Sequence, residues 1–450
     1  MSGPESAVVI GTGAAGRAVA KRLADGGYEV TAVEHDRVGG TCLWTGCIPK
    51  KALYAAARAV REVSRATQFG VECGNVSVDW SEVLAWKWHA QESFAGDQAA
   101  LLTEHGIRLV QGTARFVSES QITIGEEQVS ADHFVIATGS LPVIPEIPGV
   151  ELADTSTDAL RYPAPPRSLV ILGGGFIAME LAGIFASFGT RVEVVQRGPR
   201  VLSVLDPALS HVAMARLSRM GVVFHTESSL KQISGTEGDL ISTVVDGEGV
   251  SHEVACERAI VAIGRRPALL DLDPSAAGIE LDGAGQLTLD STLRTTNPRV
   301  WACGDAAGGL MHTPVASMEG RAVARSILSK SPYSPDYSAI PIACFTTPQL
   351  ATVGLTAQVA EESGIAVSVH RIDSDAIGAA IVDDERDSFT QLVIGANDNV
   401  VLGAQIAGPT ASDVIYAAAV AVKAHLTADV LQTVLGVHPS YAEAENYAAW

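Results

Sequence analysis

The chain begins with a short apolar run, a glycine-rich turn and a helical pattern. Residues 7–10 are continuously apolar, which is typical of a buried parallel strand. A helical pattern over residues 17–24 then leads to a second apolar run that ends at Glu34. The turn after the first strand contains three glycines, Gly11, Gly13 and Gly16. Such a turn lets the backbone approach a pyrophosphate at the helix N-terminus, and the acid accepts hydrogen bonds from ribose hydroxyls. We therefore predict a dinucleotide site here.

The same order of elements returns further along the chain. Residues 168–172 form an apolar run, and a helical pattern over 179–188 is followed by a strand over 191–195. The turn between them contains Gly173 and Gly175, with Ala178 in the place of the third glycine. Gly11 and Glu34 are 23 positions apart (34 − 11), and so are Gly173 and Gln196 (196 − 173). The spacing indicates an internal duplication and a second dinucleotide site.

The remaining elements are predicted in outline. Prolines cluster at 142–148 and at 332–341, which indicates domain boundaries. From about residue 340 the pattern changes to that of an α+β module. Helices are predicted at 51–65, 80–105, 313–328, 411–424 and 428–435, and strands at 107–111, 134–136, 300–302, 392–394 and 400–405.

Between the first dinucleotide pattern and the next helix lie two cysteines, Cys42 and Cys47, five positions apart. A regular helix rises about 1.5 Å per residue, too much for these positions to meet the roughly 4.4–6.8 Å Cα separation of a disulfide. A bond between them requires a distorted first turn, which Gly46 and Pro49 permit. Thiols near a helix N-terminus ionise readily, and a strained bridge is easily reduced. The segment favours redox chemistry; two unrelated buried cysteines with a metal-like spacing are the alternative.

Composition narrows the class of protein. The 450 residues are 47% apolar and 18% charged, which is typical of a folded chain of two to four domains. The net charge of −20 argues against nucleic acid or an anionic membrane as a partner. Six cysteines are too few for a disulfide scaffold, so we expect a reducing, cytoplasmic setting. Neither a signal peptide nor a membrane span is expected.

These ordered motifs resemble the pyridine-nucleotide disulfide oxidoreductases, flavoenzymes that include dihydrolipoyl dehydrogenase, glutathione reductase and mercuric reductase. The resemblance runs from residue 7 to 443. It implies an α/β fold with two Rossmann-like dinucleotide-binding domains, one for FAD and one for NAD(P), and a C-terminal α+β dimerisation domain. The implied division is an FAD domain at 1–145 and 266–335, an NAD(P) domain at 146–265 and an interface domain at 336–450.

The resemblance also implies roles for six residues. Cys42 would be the interchange thiol that attacks the substrate, and Cys47 would lie against the flavin as a thiolate. His438, oriented by Glu443, would be the acid/base that keeps Cys42 ionised and protonates the leaving thiol. Lys51 and Glu180 match the pair expected near flavin N5. Electrons would pass from NAD(P)H through FAD to a Cys42–Cys47 disulfide and on to a small, lipoamide-like or protein-bound disulfide.

The cofactor contacts implied by the resemblance fall in two groups, and no metal site is expected. The NAD(P) contacts would be Gly173, Gly175, Ala178, Gln196, Arg197 and Gly264. The FAD contacts would be Gly11, Gly13, Gly16, Glu34, Gly40, Thr41, Lys51, Thr138, Gly139 and Asp305, the last on the ribityl chain.

Some positions depart from the family's pattern or separate its members. Trp44 and Lys50 replace the usual Asn and Ser or Thr, so the substrate side of the disulfide differs from known members. Mercuric reductases carry a cysteine pair near the C-terminus and a tyrosine in place of the histidine, and this chain has neither. A neutral Gln196 followed by Arg197 and Arg200 suits the 2′-phosphate of NADPH better than NADH, although arginines after a strand are also common at surfaces.

Two functions remain from the sequence. The first is a disulfide reductase, which the resemblance implies to be a homodimer in which His438 serves the Cys42 of the other chain. The alternative is an NAD(P)H-dependent reductase of quinones or metal ions in which the cysteine pair is regulatory. The His438–Glu443 pair favours the first, because one-electron reduction of a quinone requires no such base.

Overall fold

The computed structural model describes residues 4–74 and 76–450. Short 3₁₀ helices lie at Ala66–Phe69, Val150–Leu152, Pro274–Ala277, Gly304–Ala307 and Ser374–Ala376. The α-helices are α1 Ala14–Asp25, α2 Gly40–Trp44, α3 Cys47–Arg65, α4 Trp80–Ala95, α5 Gln98–Glu104, α6 Ser156–Ala159, α7 Phe176–Ser187, α8 Pro207–Arg219, α9 Thr313–Ser329, α10 Ala357–Glu362, α11 Gly378–Val382, α12 Ala411–Lys423, α13 Ala428–Thr433 and α14 Glu443–Ala448.

The strands form parallel and antiparallel sheets. They are β1 Ser6–Ile10, β2 Glu29–Glu34, β3 Arg108–Gln111, β4 Ala114–Ser118, β5 Gln121–Ile124, β6 Glu127–Ser130, β7 His133–Ile136, β8 Ser140–Pro142, β9 Asp154–Thr155, β10 Ser168–Leu172, β11 Arg191–Val195, β12 Val223–His225, β13 Ser229–Thr236, β14 Asp239–Val245, β15 Ser251–Cys256, β16 Arg258–Val261, β17 Arg265–Pro267, β18 Val300–Ala302, β19 Ile342–Cys344, β20 Gln349–Gly354, β21 Val367–Asp373, β22 Phe389–Gly395 and β23 Val401–Gly408.

The chain divides into two compact units. Unit 1 contains the described residues up to Leu53, Ser81–Val143 and Gly264–Pro335. Its main sheet has the strand order β18-β7-β1-β2-β3, with parallel pairing throughout. Helices α1 and α9 pack so closely on one another that a Cβ at Gly320 would lie 2.5 Å from the Ala15 carbonyl oxygen. Apolar side chains of the strands and of these helices form the core of the unit.

Unit 2 contains the described residues of Tyr54–Trp80, Ile144–Ile263 and Asp336–Trp450. One part is a parallel sheet in the order β12-β11-β10-β16-β9, with the three-stranded antiparallel sheet β13-β14-β15. The other is an antiparallel sheet in the order β19-β20-β23-β22-β21. Its fully buried strand β22 shares a core with helices α12, α13 and α14.

The predicted duplication is confirmed at the level of strand register. Ser6 pairs with Glu29 in the first sheet and Ser168 pairs with Arg191 in the second, an offset of 23 residues in both (29 − 6, 191 − 168). The first glycine of each turn has a left-handed φ, +100° at Gly11 and +116° at Gly173. A Cβ at either position would lie 2.3 Å from a carbonyl oxygen of the neighbouring parallel strand's end, so only glycine fits.

Several local predictions differ from the structure. Helix α3 begins at Cys47 rather than at residue 51, and Cys42 lies in a separate short helix, α2. The helix predicted over 80–105 is two helices, because Asp97 caps a new one by accepting a hydrogen bond from the Ala100 amide at 2.7 Å. The antiparallel strands β4–β6 and β13–β15 lie where the sequence analysis assigned no strands.

The division of the chain into domains at residues 145, 265 and 335 stays a prediction. No described helix has the length and apolar character needed to cross a bilayer.

The glycine turn of unit 1 makes a testable distinction. A Cβ at Gly16 would lie 1.9 Å from the Gly11 carbonyl oxygen, whereas a Cβ at Gly13 meets nothing within 4 Å. We expect Gly16→Ala to lower the free energy of unfolding by about 1–3 kcal/mol, since backbone must move to admit the methyl group. Gly13→Ala, at a helix N-cap, should cost less than about 1 kcal/mol. Urea unfolding compares the two, and a Gly16→Ala protein as stable as wild type would contradict the proposed crowding.

Candidate active site

A break between two helices places the cysteines near each other. Helix α2 ends at Trp44, the Thr45 amide donates to the Thr41 carbonyl oxygen at 2.9 Å, and α3 begins at Cys47. Gly46 fits the break because a Cβ there would lie 2.9 Å from the same carbonyl oxygen. Both cysteines are thiols in this structure, and their side chains hydrogen-bond to one another. The distorted connection expected for a Cys42–Cys47 pair is therefore present.

The two thiols differ in pKa, so that one ionises more readily than the other. The hydrogen bond from Cys42 is the largest factor that lowers the pKa of Cys47 to about 6, against burial, with help from Thr313, Lys50 and Lys51. The same bond, together with burial, raises the pKa of Cys42 well above its usual range. The Thr313 hydroxyl lies 3.5 Å from the Cys47 sulfur. In the dithiol state the negative charge therefore rests on Cys47 at neutral pH.

Residues around α2 hold the cysteine segment. Gln91 of α4 is buried, and its amide nitrogen donates to the carbonyl oxygens of Leu43 and Trp44 at 3.0 and 3.1 Å, which caps the helix C-terminus. The Trp44 indole donates to the Val38 carbonyl oxygen at 2.9 Å, and the Arg37 guanidinium lies 5.0 Å from the ring centroid. The indole is thus bonded back to the turn that precedes α2.

The acid predicted to hold a ribose is anchored beside the first glycine turn. Glu34 is buried at the end of β2 and accepts from the Thr12 amide at 2.9 Å and the Thr12 hydroxyl at 2.5 Å. Its other oxygen accepts from the amides of His35 and Asp36 at 2.9 and 3.0 Å. Of these donors only the Thr12 hydroxyl can rotate away, so it is the one that a ribose hydroxyl would replace.

The residues near this turn fit the FAD that the resemblance implies. The Thr138 hydroxyl oxygen, directly after the Ala137 carbonyl that crowds Gly11, is buried without a hydrogen-bond partner among the described residues. A buried hydroxyl normally has a partner, and a bound ligand would supply one. The space beside Gly13 is open at the N-terminus of α1, where a pyrophosphate binds. Gly40 has a φ of +66°, Gly139 of +76°, and Thr41 is exposed.

A network of long-range hydrogen bonds positions Asp305. Its carboxylate accepts from the Ser140 hydroxyl at 2.5 Å, and Arg265 donates to the Ser140 hydroxyl and carbonyl oxygens, both at 2.7 Å. Strand β18 and the 3₁₀ turn Gly304–Ala307 carry the aspartate, while antiparallel pairing of β8 with β17 brings Ser140 and Arg265 together. The expected ribityl contact is thus held by residues from three parts of the chain.

In unit 2 the second glycine turn resembles the first, but Gln196 stands at the position that corresponds to Glu34. Gly175 caps α7 with open space beside it, and Ala178 is fully buried. Gly264, which is also predicted to contact the nucleotide, belongs to unit 1 and has a φ of +130°. The Gln196 side chain lies over Gly174, where an added Cβ would be 3.0 Å from its amide oxygen. Arg200 donates to the carbonyl oxygens of Leu205 and Ser203 at 2.8 and 2.9 Å, so its guanidinium holds the loop. Arg197 is exposed, which leaves it as the arginine open to a nucleotide.

The predicted acid/base pair forms in unit 2. The His438 Nδ1 lies 3.0 Å from a Glu443 oxygen that also accepts from the Tyr447 hydroxyl. The second Glu443 oxygen accepts from the Ser440 amide at 3.0 Å. These hydrogen bonds, that of Tyr447 first, hold the pKa of Glu443 below its usual range. The His438 side chain is 76% exposed and that of Glu443 is 5% exposed, so a buried carboxylate orients an imidazole that faces outward.

The candidate residues therefore form clusters within each unit. Cys42, Cys47 and Lys51 belong to unit 1, whereas Glu180 and His438 belong to unit 2. Glu180 is buried on α7 and accepts from the Phe345 amide at 2.9 Å. The predicted pairing of Lys51 with Glu180 stays a prediction.

Sequence reasoning missed several participants. Tyr447 was detectable, because residues four apart on a helix share a face, and Tyr447 is four positions after Glu443. Thr12, Thr313, Ser140 and Gln91 had no detectable pattern, since each acts through a contact that packing creates.

Two family models and several curated proteins match most of this chain. Residues 5–320 match the model described as pyridine nucleotide-disulphide oxidoreductase, and residues 340–449 match the dimerisation domain of the same family. Dihydrolipoyl dehydrogenase of Haloferax volcanii is 34% identical over 454 residues, which cover 98% of this chain and 95% of that protein. Mercuric reductase of Bacillus cereus is 32% identical over 445 residues, covering 98% of this chain and 70% of the relative.

A solved structure is similar over the whole chain. It is described as the HOCl-induced flavoprotein disulfide reductase RclA from Escherichia coli, and it superposes with a TM-score of 0.88 and 27% identity over 98% of each chain. Two family models together span nearly the whole sequence, and the curated relatives are matched over almost their full length or most of it. The chain therefore belongs to the pyridine nucleotide-disulphide oxidoreductase family and carries that family's dimerisation domain.

Proposed function

We propose that Cys42 and Cys47 are the redox pair of this FAD-dependent NAD(P)H:disulfide oxidoreductase. The observation that carries the proposal is the hydrogen-bonded thiol pair at the start of α3, in which Cys47 holds the negative charge. Members of the family bind FAD and NAD(P)H and act on disulfides. A thiolate beside a neutral thiol is the arrangement that a two-step disulfide exchange requires.

The proposed exchange balances in atoms and electrons. Two electrons and one proton convert the Cys42–Cys47 disulfide to the Cys42 thiol and the Cys47 thiolate. His438 takes the proton of Cys42, whose sulfur attacks the substrate disulfide, forms a mixed disulfide and displaces one thiolate, which His438 protonates. The Cys47 thiolate then attacks the Cys42 sulfur, which re-forms the protein disulfide and releases the second substrate thiolate, and this thiolate takes its proton from water.

Both cofactors have sites that fit them. When bound, FAD supplies the transfer of an electron pair from NAD(P)H to the protein disulfide. Glu34, Thr138 and Asp305 would bind it, together with the amides at the start of α1. The second turn, Gly173–Ala178, and Gln196 with Arg197 would hold the pyridine nucleotide. Lys51 and Glu180 are proposed to lie near flavin N5.

We propose that the working unit is a homodimer with composite sites. Residues 340–449 match the family's dimerisation domain, and this segment with the residue after it exposes Tyr416 (71%), Leu435 (89%), Val437 (79%) and Trp450 (77%). Exposed apolar side chains of this size in one segment are typical of an interface. His438 is next to this set and faces outward, which suits a base that serves another chain. A cytoplasmic location and the four-part division of the chain stay predictions.

The alternative function, reduction of quinones or metal ions, has weaker support. Mercuric reductases are among the relatives, and a Cu(II) complex of RclA is known. The oriented His438–Glu443 pair nevertheless favours thiol chemistry, because one-electron reduction of a quinone requires no such base. We therefore rank disulfide reduction first.

The thiolate of Cys47 predicts a spectroscopic property. One equivalent of NADPH should give the yellow protein a long-wavelength absorbance band, which arises when a thiolate lies against the flavin. Because Cys47 has a pKa of about 6, the thiolate exists above this pH, and the band should fade as the pH falls through it. Cys42→Ser should show the band without reductant, and Cys47→Ser should lack it. Simple bleaching of the wild-type flavin without a band would exclude the dithiol mechanism.

The second nucleotide site predicts a preference for NADPH carried by Arg197. A charge-assisted hydrogen bond to the 2′-phosphate contributes about 1.5–3 kcal/mol, or roughly one to two decades in kcat/KM. Arg197→Gln should lower kcat/KM for NADPH by that factor and leave NADH unchanged. Arg200→Gln is the matched control, since loss of its loop contacts should affect both nucleotides equally. Wild-type values that are equal, or that favour NADH, would contradict the preference.

The composite site is tested by complementation between chains. Cys42→Ser and His438→Ala each remove one group, so each homodimer should be inactive. In the isolated heterodimer one of the two composite sites contains both intact groups, and about half of the wild-type activity should return. A heterodimer without activity would mean that each chain uses its own histidine, and a fully active monomer in sedimentation would equally exclude shared sites.

A further inference from the structure

Arg17 is a cation in an unfavourable place. It lies in the first turn of α1, where its amide donates to the Gly13 carbonyl oxygen at 3.0 Å and the helix dipole repels positive charge. The side chain is half-buried, and burial lowers the pKa of its guanidinium. Throughout the described ranges, no carboxylate lies within ion-pair distance of it, and its hydrogen bond goes to the neutral Gln98 oxygen at 2.6 Å. A partly desolvated guanidinium without a counter-charge is costly, so its position calls for an anion from outside the chain.

The surroundings of Arg17 include the interchange thiol. Helix α2 starts against the start of α1, since a Cβ at Gly40 would lie 2.8 Å from the Gly13 Cα. Cys42 follows two residues later, and Arg17 and Cys42 are close enough for their charges to interact. Gln98, the first residue of α5, holds the guanidinium at this place. All of these residues belong to unit 1.

Cys42 itself is not the missing anion. In the oxidised protein its sulfur is bonded to Cys47 and carries no charge. In the dithiol state the hydrogen bond between the thiols keeps the negative charge on Cys47 and the proton on Cys42. Arg17 thus has a protein counter-ion in neither resting state. A molecule that reaches Cys42 with a negative group near its sulfur would supply one, and a guanidinium fork binds a carboxylate through two hydrogen bonds.

We propose that Arg17 is a specificity-determining residue that binds an acidic group next to the sulfur of the disulfide substrate, so that this protein selects small anionic disulfides. The inference rests on the disulfide reductase function proposed above and names its substrate class. The net charge of −20 attracts cationic molecules to the protein and repels anionic ones. The proposed selection of anions by Arg17 therefore acts locally and against this overall field. A preference for anions therefore cannot arise from the overall field.

Three disulfides of similar size test this selection: 3,3′-dithiodipropionate (anionic), 2-hydroxyethyl disulfide (neutral) and cystamine (cationic). Their kcat/KM values are measured with the FAD-loaded dimer at about 0.15 M salt, where charges more than roughly 8 Å apart are screened. Wild type should prefer them in the order given. In Arg17→Gln, kcat/KM for dithiodipropionate should fall about 10–100-fold, which is the scale of a charge-assisted hydrogen bond. The value for the neutral disulfide should change little, and the value for cystamine should rise. Arg17→Lys should keep part of the preference. Arg22→Gln, an exposed arginine of the same helix, should change none of the three.

Four results would overturn the assignment. In the first, Arg17→Gln lowers kcat/KM equally for all three substrates, and it also slows the alkylation of Cys42 when it is added to Cys47→Ser. Arg17 would then act on the thiol and not on the substrate. Loss of bound FAD from Arg17→Gln would make it a cofactor ligand. A wild type that reduces all three disulfides without preference would refute the selection while leaving disulfide reduction intact. A wild type that forms the long-wavelength band but reduces no disulfide would refute both proposals.

Discussion

The structure of the reactive centre depends on one interruption between two helices. A continuous helix would hold Cys42 and Cys47 too far apart for their sulfurs to meet. The chain instead closes α2 with a hydrogen bond from Thr45 to Thr41, turns at Gly46 and starts α3 at Cys47. The thiols then share a hydrogen bond, and the asymmetry of that bond places the charge on Cys47. This local geometry supports the proposed roles of Cys42 as the attacking sulfur and Cys47 as the resolving sulfur.

The interruption is stable because other parts of unit 1 compensate for its exposed backbone groups. Gln91 satisfies the carbonyl oxygens at the end of α2, and the start of α2 lies directly against the first glycine turn. The same turn forms the N-terminus of α1, where we propose that the pyrophosphate of FAD binds. The cysteine pair and the proposed FAD site thus depend on one shared contact. A larger residue at Gly40 would disturb both, since its Cβ would meet the backbone of Gly13.

The acid/base group follows a different principle from the cysteine pair. Glu443 is buried and takes three hydrogen bonds, while His438 is largely exposed. The rigid part lies inside unit 2 and the reactive imidazole faces outward. Such a group is preorganised without its target, which suits a base that meets a thiol of another chain. Tyr447 shares an oxygen of Glu443 with His438, so it contributes to the orientation and to the charge of the pair.

The sequence by itself determined the elements whose pattern is local. Apolar runs, glycines at fixed spacing and the offset of 23 residues specified two parallel strand–turn–helix–strand units, because backbone sterics and periodicity act over short distances. It also specified the cysteine pair and the neighbouring His438 and Glu443, which are close in the chain. Packing decided what distant segments contribute. Ser140 reaches Asp305 across 165 positions, Arg265 reaches Ser140 across 125, and Arg17 meets Gln98 across 81. The break between α2 and α3 closes on a cap from α4. No local pattern encodes such contacts, because each side chain acquires its partner only when the sheets and helices that carry the two residues come together.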